Sequence, residues 1–109
     1  MAPITTIVGE RRRHRRRTAE EGGWKADALL RPGLLVRILN ITPNGVLLES
    51  PARLRPGRRA ELQLTTADGE PQPMASGRIT RCAVVAVSPM VFRGAIAFDI
   101  PVHGKPSDE

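Results

Sequence analysis

In two segments of the chain, apolar residues recur at every second position and polar residues tend to stand between them. Residues 59–64, RAELQL, place Ala60, Leu62 and Leu64 on one side of an extended chain. Residues 92–100, FRGAIAFDI, do the same with Phe92, Gly94, Ile96 and Phe98. Successive side chains of a β-strand point to opposite faces, so this period predicts two half-buried antiparallel strands.

Four other segments are rich in strand-forming residues. Residues 34–41 and 46–50 are more uniformly apolar, residues 75–85 form a longer candidate strand, and residues 24–30 form a weaker one. In the long candidate we expect Arg78, Thr80 and Cys82 to share one face, because they are spaced two apart.

Turn signals separate these candidate strands at short intervals. Pro43-Asn44-Gly45, Pro56-Gly57 and Asp68-Gly69 are sequences typical of tight turns. The ten Gly and ten Pro residues also interrupt every candidate helix. We therefore predict an all-β fold, a small antiparallel barrel of six strands, since closure removes exposed sheet edges.

The predicted organisation is one domain with two polar extensions. At 109 residues and 40% apolar content, the chain supports a single core. Residues 1–21 are expected to be a flexible basic arm with a hinge at Gly22 and Gly23. Residues 22–101 are expected to form the barrel, and residues 102–109 a frayed polar tail.

Several classes of protein are excluded by composition. The single Cys82 excludes a disulfide scaffold. No apolar run approaches the ~20 residues of a membrane-spanning helix, and the N-terminus lacks the pattern of a secretory signal. These features favour a cytoplasmic protein without a membrane span.

The residues that usually carry catalysis are scattered. His14 and His103 lie near opposite ends of the chain, and neither has a spacing typical of a zinc site. Cys82 falls within a predicted strand, where a small packed side chain is the simpler interpretation. Glycine-rich phosphate loops are absent from the sequence. We therefore expect no enzyme activity, no metal site and no cofactor.

The net charge of +6 has a single origin. Residues 11–17, RRRHRRR, contain six arginines, and the rest of the chain holds 11 basic and 11 acidic side chains. Guanidinium groups bind phosphate in a bidentate manner, bind the O6/N7 edge of guanine and stack on bases. A ligand with phosphate or guanine is the natural partner, although on charge alone a solvated basic tail is the simpler interpretation.

A second polar motif stands between two predicted strands. Residues 40–45, NITPNG, place the Asn40 amide, the Thr42 hydroxyl and Gly45 around a turn. Glycine tolerates positive φ and lets a ligand approach the backbone closely. Taken alone, the segment is also typical of an ordinary hairpin turn.

The two motifs, in this order before a small β-barrel, resemble the PilZ domain family. That family carries RxxxR in an N-terminal arm and (D/N)xSxxG on the barrel, and Thr42 replaces the Ser here. RRRHRRR contains the first motif in three registers, of which we favour Arg12 with Arg16 over Arg11 with Arg15 and Arg13 with Arg17. Residues 54–64 and 92–100 also resemble strands of the family.

The resemblance implies a receptor for the bacterial second messenger cyclic di-GMP. By analogy, Arg12 and Arg16 would clamp phosphates and guanines, Asn40 would bind guanine, Thr42 would donate to a polar edge, and Gly45 would leave room for the ligand. The receptor would act as an adaptor towards an effector protein whose identity and output pathway the sequence leaves open.

Two other functions stay open at this stage. The chain could be a degenerate PilZ-like interaction module that no longer binds nucleotide, with Thr42 as its sign. The arm could also bind RNA or DNA without specificity, although the three aromatic residues are few for a protein that stacks bases.

Overall fold

The computed structural model describes residues 17–103, and these residues form six β-strands and no helix. The strands are Asp27–Leu30 (β1), Leu34–Thr42 (β2), Gly45–Ser50 (β3), Arg59–Gln63 (β4), Ala75–Val87 (β5) and Met90–Phe98 (β6). Within these residues, no helix is long and apolar enough to cross a membrane.

All six strands belong to one antiparallel sheet. Their order is β1-β2-β3-β6-β5-β4, and β4 pairs in turn with β1, so the sheet closes into a barrel. Three hairpins, β1–β2, β2–β3 and β5–β6, supply half of the strand pairs. The β3–β6 and β1–β4 pairs join distant parts of the chain and complete the closure. The all-β prediction is confirmed.

The alternating segments pack as their pattern predicts. In β4 and just after it, Ala60, Leu62 and Leu64 are buried while Glu61 is exposed. In β6, Phe92 and Ile96 are buried and Arg93 is exposed. The barrel interior is filled mainly by aliphatic side chains, among them Val36, Ile38, Ile41, Val46, Leu48, Leu62, Leu64, Ile79 and Ile96.

The face predicted for Cys82 is wrong. Arg78 and Thr80 are exposed, but Cys82 is partly buried and packs against the core. The pairing of β5 with β6 shifts between Ile79 and Arg81, which is a β-bulge. An extra residue in one strand reverses the alternation after it. Thr80 and Arg81 are therefore both exposed, and Cys82 turns inward.

The predicted boundary of the arm at residue 21 also needs correction. Arg17 pairs with Ile41 of β2, and Ala19 is only 1% exposed within the core. The Thr18 N–H donates to the Glu21 carboxylate, and the Glu21 N–H donates to the Thr18 hydroxyl. Residues 17–21 therefore belong to the barrel, where the Arg17–Ile41 pairing, the buried Ala19 methyl group and these hydrogen bonds hold them.

The predicted glycine hinge is instead a hydrogen-bonded turn. The N–H of Gly22 donates to Thr18 and Ala19, and buried Gly23 adopts a φ of 86°. Trp24 follows, 3% exposed, and its N–H donates to the carbonyl of Ala19 at 2.8 Å. This turn is part of the packed structure and not a free joint.

The beginning of the predicted tail is attached to the barrel. The Val102 N–H donates to the Pro43 carbonyl at 2.8 Å, and its side chain packs against the core. The contact lies at the turn between β2 and β3, within the NITPNG motif. Residues 104–109 lie outside the described part of the chain.

Candidate functional site

A shallow groove of about 210 Å³ runs over the outer face of β2, β3, β6 and β5. The NITPNG residues Asn40, Thr42 and Gly45 line one end of the groove. Thr80 and Arg81 of β5 line the other end. The structure therefore gathers the motif and a distant arginine on one surface.

Strand pairing explains why these residues share a surface. Asn40 pairs with Leu47, Leu47 with Ala95, and Ala95 with Arg81, so that the four form one row across four strands. Paired residues of antiparallel strands point to the same face. At ~4.8 Å between strands, three steps separate the Asn40 and Arg81 backbones by about 14 Å.

The β6 part of the groove carries small residues, whereas Leu47 of β3 lies between Asn40 and Ala95 in the first row. Thr42 pairs with Gly45, and Gly45 pairs with Ala97, in a second row beside the first. Ala95 and Ala97 extend no further than a methyl group above the sheet. A flat ligand can therefore lie against the β6 backbone, beside the Leu47 side chain.

The Thr42 hydroxyl stabilises the hairpin turn. Its Oγ1 accepts hydrogen bonds from the N–H groups of Asn44 at 3.1 Å and Gly45 at 3.2 Å. Its proton is directed to the Gly45 carbonyl at 3.5 Å, which is a long contact. A ligand oxygen could compete for that proton without disturbing the two bonds that the hydroxyl accepts.

Gly45 has a different role from the one expected. Its φ is not positive, so the turn does not require glycine for its backbone conformation. A Cβ at this position would lie 2.8 Å from the Ile96 carbonyl oxygen of β6. Gly45 is needed because two strands approach closely, and any space that it leaves for a ligand is secondary.

The arm enters the described structure beside the groove. The Arg17 N–H donates to the Ile41 carbonyl at 3.1 Å, and the Ile41 N–H donates back at 2.7 Å. Ile41 lies between Asn40 and Thr42 and points into the core. The Arg17 side chain is exposed and does not line the groove. Arg11, Arg12, Arg13, Arg15 and Arg16 lie outside the described residues.

A second depression, of about 530 Å³, lies near Trp24 and the residues after β6. Its charged side chains are already paired, since the Arg59 guanidinium forms two hydrogen bonds with the Asp99 carboxylate. This hydrogen bonding lowers the pKa of the Asp99 carboxyl from its ordinary value. The pairing leaves this depression less suited to an anionic ligand than the groove.

Within residues 17–103, no group of three or more His, Cys, Asp and Glu side chains is placed to hold a metal ion.

Sequence reasoning missed Thr80 and Arg81. Both lie in the strand predicted over residues 75–85, but their neighbours depend on the β5–β6 pairing and on the bulge. A sequence signal was present, because Thr80 and Arg81 are adjacent polar residues and strict alternation after Ile79 would turn a charged side chain into the core.

No family model, curated protein or solved structure matches this chain.

Proposed function

We propose that this chain is a PilZ-like receptor domain that binds cyclic di-GMP in the groove over β2, β3, β6 and β5. The observation that carries the proposal is the pairing of Arg17 with Ile41. The arginine-rich segment precedes Arg17 directly, and consecutive Cα atoms lie ~3.8 Å apart. Arg17, the last arginine of the segment, therefore lies near the end of the groove that Asn40 and Thr42 line, which supports a role for the segment there.

The chemistry of the groove suits this ligand. Cyclic di-GMP carries two phosphates and two guanines, and arginine recognises both groups. The Asn40 side chain can bind a guanine edge, and the Thr42 proton can turn to a polar ligand atom. The flat surface over Ala95 and Ala97 leaves space for the bases.

Arg12 and Arg16 are the pair that we propose for the ligand, because His14 stands two residues after Arg12, as is common in the family. Arg17, the last residue of the segment, pairs with Ile41, which lies between the groove residues Asn40 and Thr42. In this proposal Arg12 and Arg16 would contact the phosphates and guanines of the ligand.

Binding would act through the arm and not through catalysis. Charge-assisted hydrogen bonds from the arm contribute roughly 1.5–3 kcal/mol each. Ordering the arm over the ligand costs roughly 2–5 kcal/mol, which leaves a net gain when several bonds form. The ligand and arm together would create a surface that an effector protein recognises, so the domain acts as an adaptor.

Isothermal titration calorimetry with cyclic di-GMP tests the proposal. We expect binding to the wild-type chain and a loss of at least ~10-fold in affinity, about 1.4 kcal/mol, for Arg12→Ala and for Arg16→Ala. Arg17→Ala distinguishes the registers, because it should weaken binding strongly only if Arg13 and Arg17 form the pair. Arg31→Ala is the control, since it removes the same charge outside the groove, in the turn between β1 and β2.

An absence of heat with folded wild-type protein at high micromolar ligand would refute the receptor function. A degenerate PilZ-like interaction module is then the better account. The observation that favours this second candidate is that both Thr42 and Gly45 have structural roles that need no ligand. Non-specific nucleic-acid binding would be recognised by a steep loss of affinity with salt for oligonucleotides of any sequence.

A further inference from the structure

Arg81 is an arginine at the groove that lies far from the arm in sequence. It closes the row that begins at Asn40 and passes through Leu47 and Ala95. The two ends of the row are about 14 Å apart at ordinary strand spacing. The arm enters at the Asn40 end, so Arg81 lies across the groove from it.

The β-bulge explains how Arg81 comes to point outwards. Regular alternation after the buried Ile79 would turn residue 81 into the core. The shift in register between Ile79 and Arg81 instead leaves Thr80 and Arg81 both exposed at the groove. Bulges are common where a strand redirects a side chain towards a binding site.

Several barrel arginines have no side-chain partner among the described residues, and of these Arg81 is the one that lines the groove. Arg31, Arg59 and Arg93 form ion pairs with Glu61, Asp99 and Glu49. Arg78, three residues before Arg81, donates to the Gly57 carbonyl at 2.8 Å. Within the described residues, the Arg81 guanidinium forms neither a hydrogen bond nor an ion pair. Its five N–H donors are therefore available to a ligand.

We propose that Arg81 is a ligand-binding residue that holds the end of cyclic di-GMP opposite Asn40 and Thr42. The inference rests on the proposed function. Leu47 of β3 stands beside Asn40, and the small side chains of Ala95 and Ala97 leave the surface next to Arg81 open. Arg81 offers a bidentate contact to a phosphate or to the O6/N7 edge of a guanine. The ligand would thereby be held at both ends of the groove, by the NITPNG residues and by β5.

Calorimetry with cyclic di-GMP on Arg81→Ala and Arg81→Lys tests this role. We expect Arg81→Ala to lose ~10-fold or more in affinity, which is the effect of one good bidentate contact. Arg81→Lys keeps the charge but not the fork of donors, and so should recover only part of the loss. Arg31→Ala should bind within about 2-fold of wild type, because Arg31 lies outside the groove and its exposed ion pair with Glu61 contributes little.

The outcomes separate this inference from the proposed function. If wild type and Arg81→Ala bind equally well, the role of Arg81 is wrong while the receptor function stands. If Arg81→Lys restores the full affinity, or Arg31→Ala is as weak as Arg81→Ala, general charge explains the effect and a directed contact is refuted. If folded wild type does not bind, both proposals fail together. Arg81 is exposed, so chemical denaturation should show an unchanged free energy of unfolding for both variants.

Discussion

The β2–β3 and β5–β6 hairpins share a local plan but differ in their surroundings. Each has a two-residue turn that contains proline, Pro43-Asn44 in the first and Ser88-Pro89 in the second. The β2–β3 turn is held by distant parts of the chain: Phe98 donates to the Asn44 carbonyl and Val102 to the Pro43 carbonyl, each at 2.8 Å. Arg17 pairs with the adjoining Ile41.

The β5–β6 hairpin extends beyond these contacts. Residues 83–90 are all exposed, on both faces of the ribbon, and none of them is charged. Val87 is 74% exposed and Met90 47%. Met90 and Val91, the residues of β6 that precede Phe92, do not pair with β3. The ribbon is therefore held by the β5–β6 pairing alone. Long-range contacts, and not the turn itself, therefore hold the β2–β3 hairpin against the barrel.

The largest expected difference between the hairpins concerns their apolar side chains. Leu48 of β3 is 0% exposed, and Leu48→Ala should lower the free energy of unfolding by about 2–5 kcal/mol through lost burial and a cavity. Val87→Ala in the ribbon should change it by less than about 0.5 kcal/mol. Urea denaturation of both variants measures the contrast. Equal losses would show that the ribbon is buried in solution.

A smaller effect is expected from the glycine of the motif. Gly45→Ala brings a Cβ to within 2.8 Å of the Ile96 carbonyl oxygen, so β3 and β6 must move apart. We expect a loss of about 1–3 kcal/mol, the usual cost of overpacking. Gly33→Ala is the matched control, because nothing lies within 4 Å of the added Cβ and its φ is not positive. An unchanged free energy of unfolding for Gly45→Ala would contradict the close approach of β3 and β6.

The smallest effect concerns the Thr42 hydroxyl. Thr42→Val keeps the shape of the side chain but removes the acceptor for the Asn44 and Gly45 N–H groups. A loss of about 1 kcal/mol in the free energy of unfolding is expected. Thr42→Ser keeps the hydroxyl and should stay within about 0.5 kcal/mol of wild type. If Thr42→Val has the same free energy of unfolding as wild type, the hydroxyl is not needed for the turn.

The alternation of apolar and polar residues predicted the strands because it depends on local geometry. Ala60, Leu62 and Leu64, or Phe92 and Ile96, can face the core only if the chain is extended at those positions. The same local logic failed at Cys82, because regular alternation was continued past the adjacent polar residues Thr80 and Arg81, where the pairing of β5 with β6 shifts by one residue. Ala19 was missed for a related reason, since one small apolar residue among charges shows no period.

The sequence by itself determined the chemistry available to this protein: a concentrated arginine arm, an Asn and a Thr around a turn, and an aliphatic chain patterned for strands. Those properties belong to individual residues and near neighbours. The tertiary structure decided which residues meet. Pairing between strands places Asn40 and Arg81 in one row, and Arg17 pairs with Ile41. The close approach of β3 to β6 makes glycine necessary at position 45. These relations depend on register between distant strands, which is set by burial of the whole core.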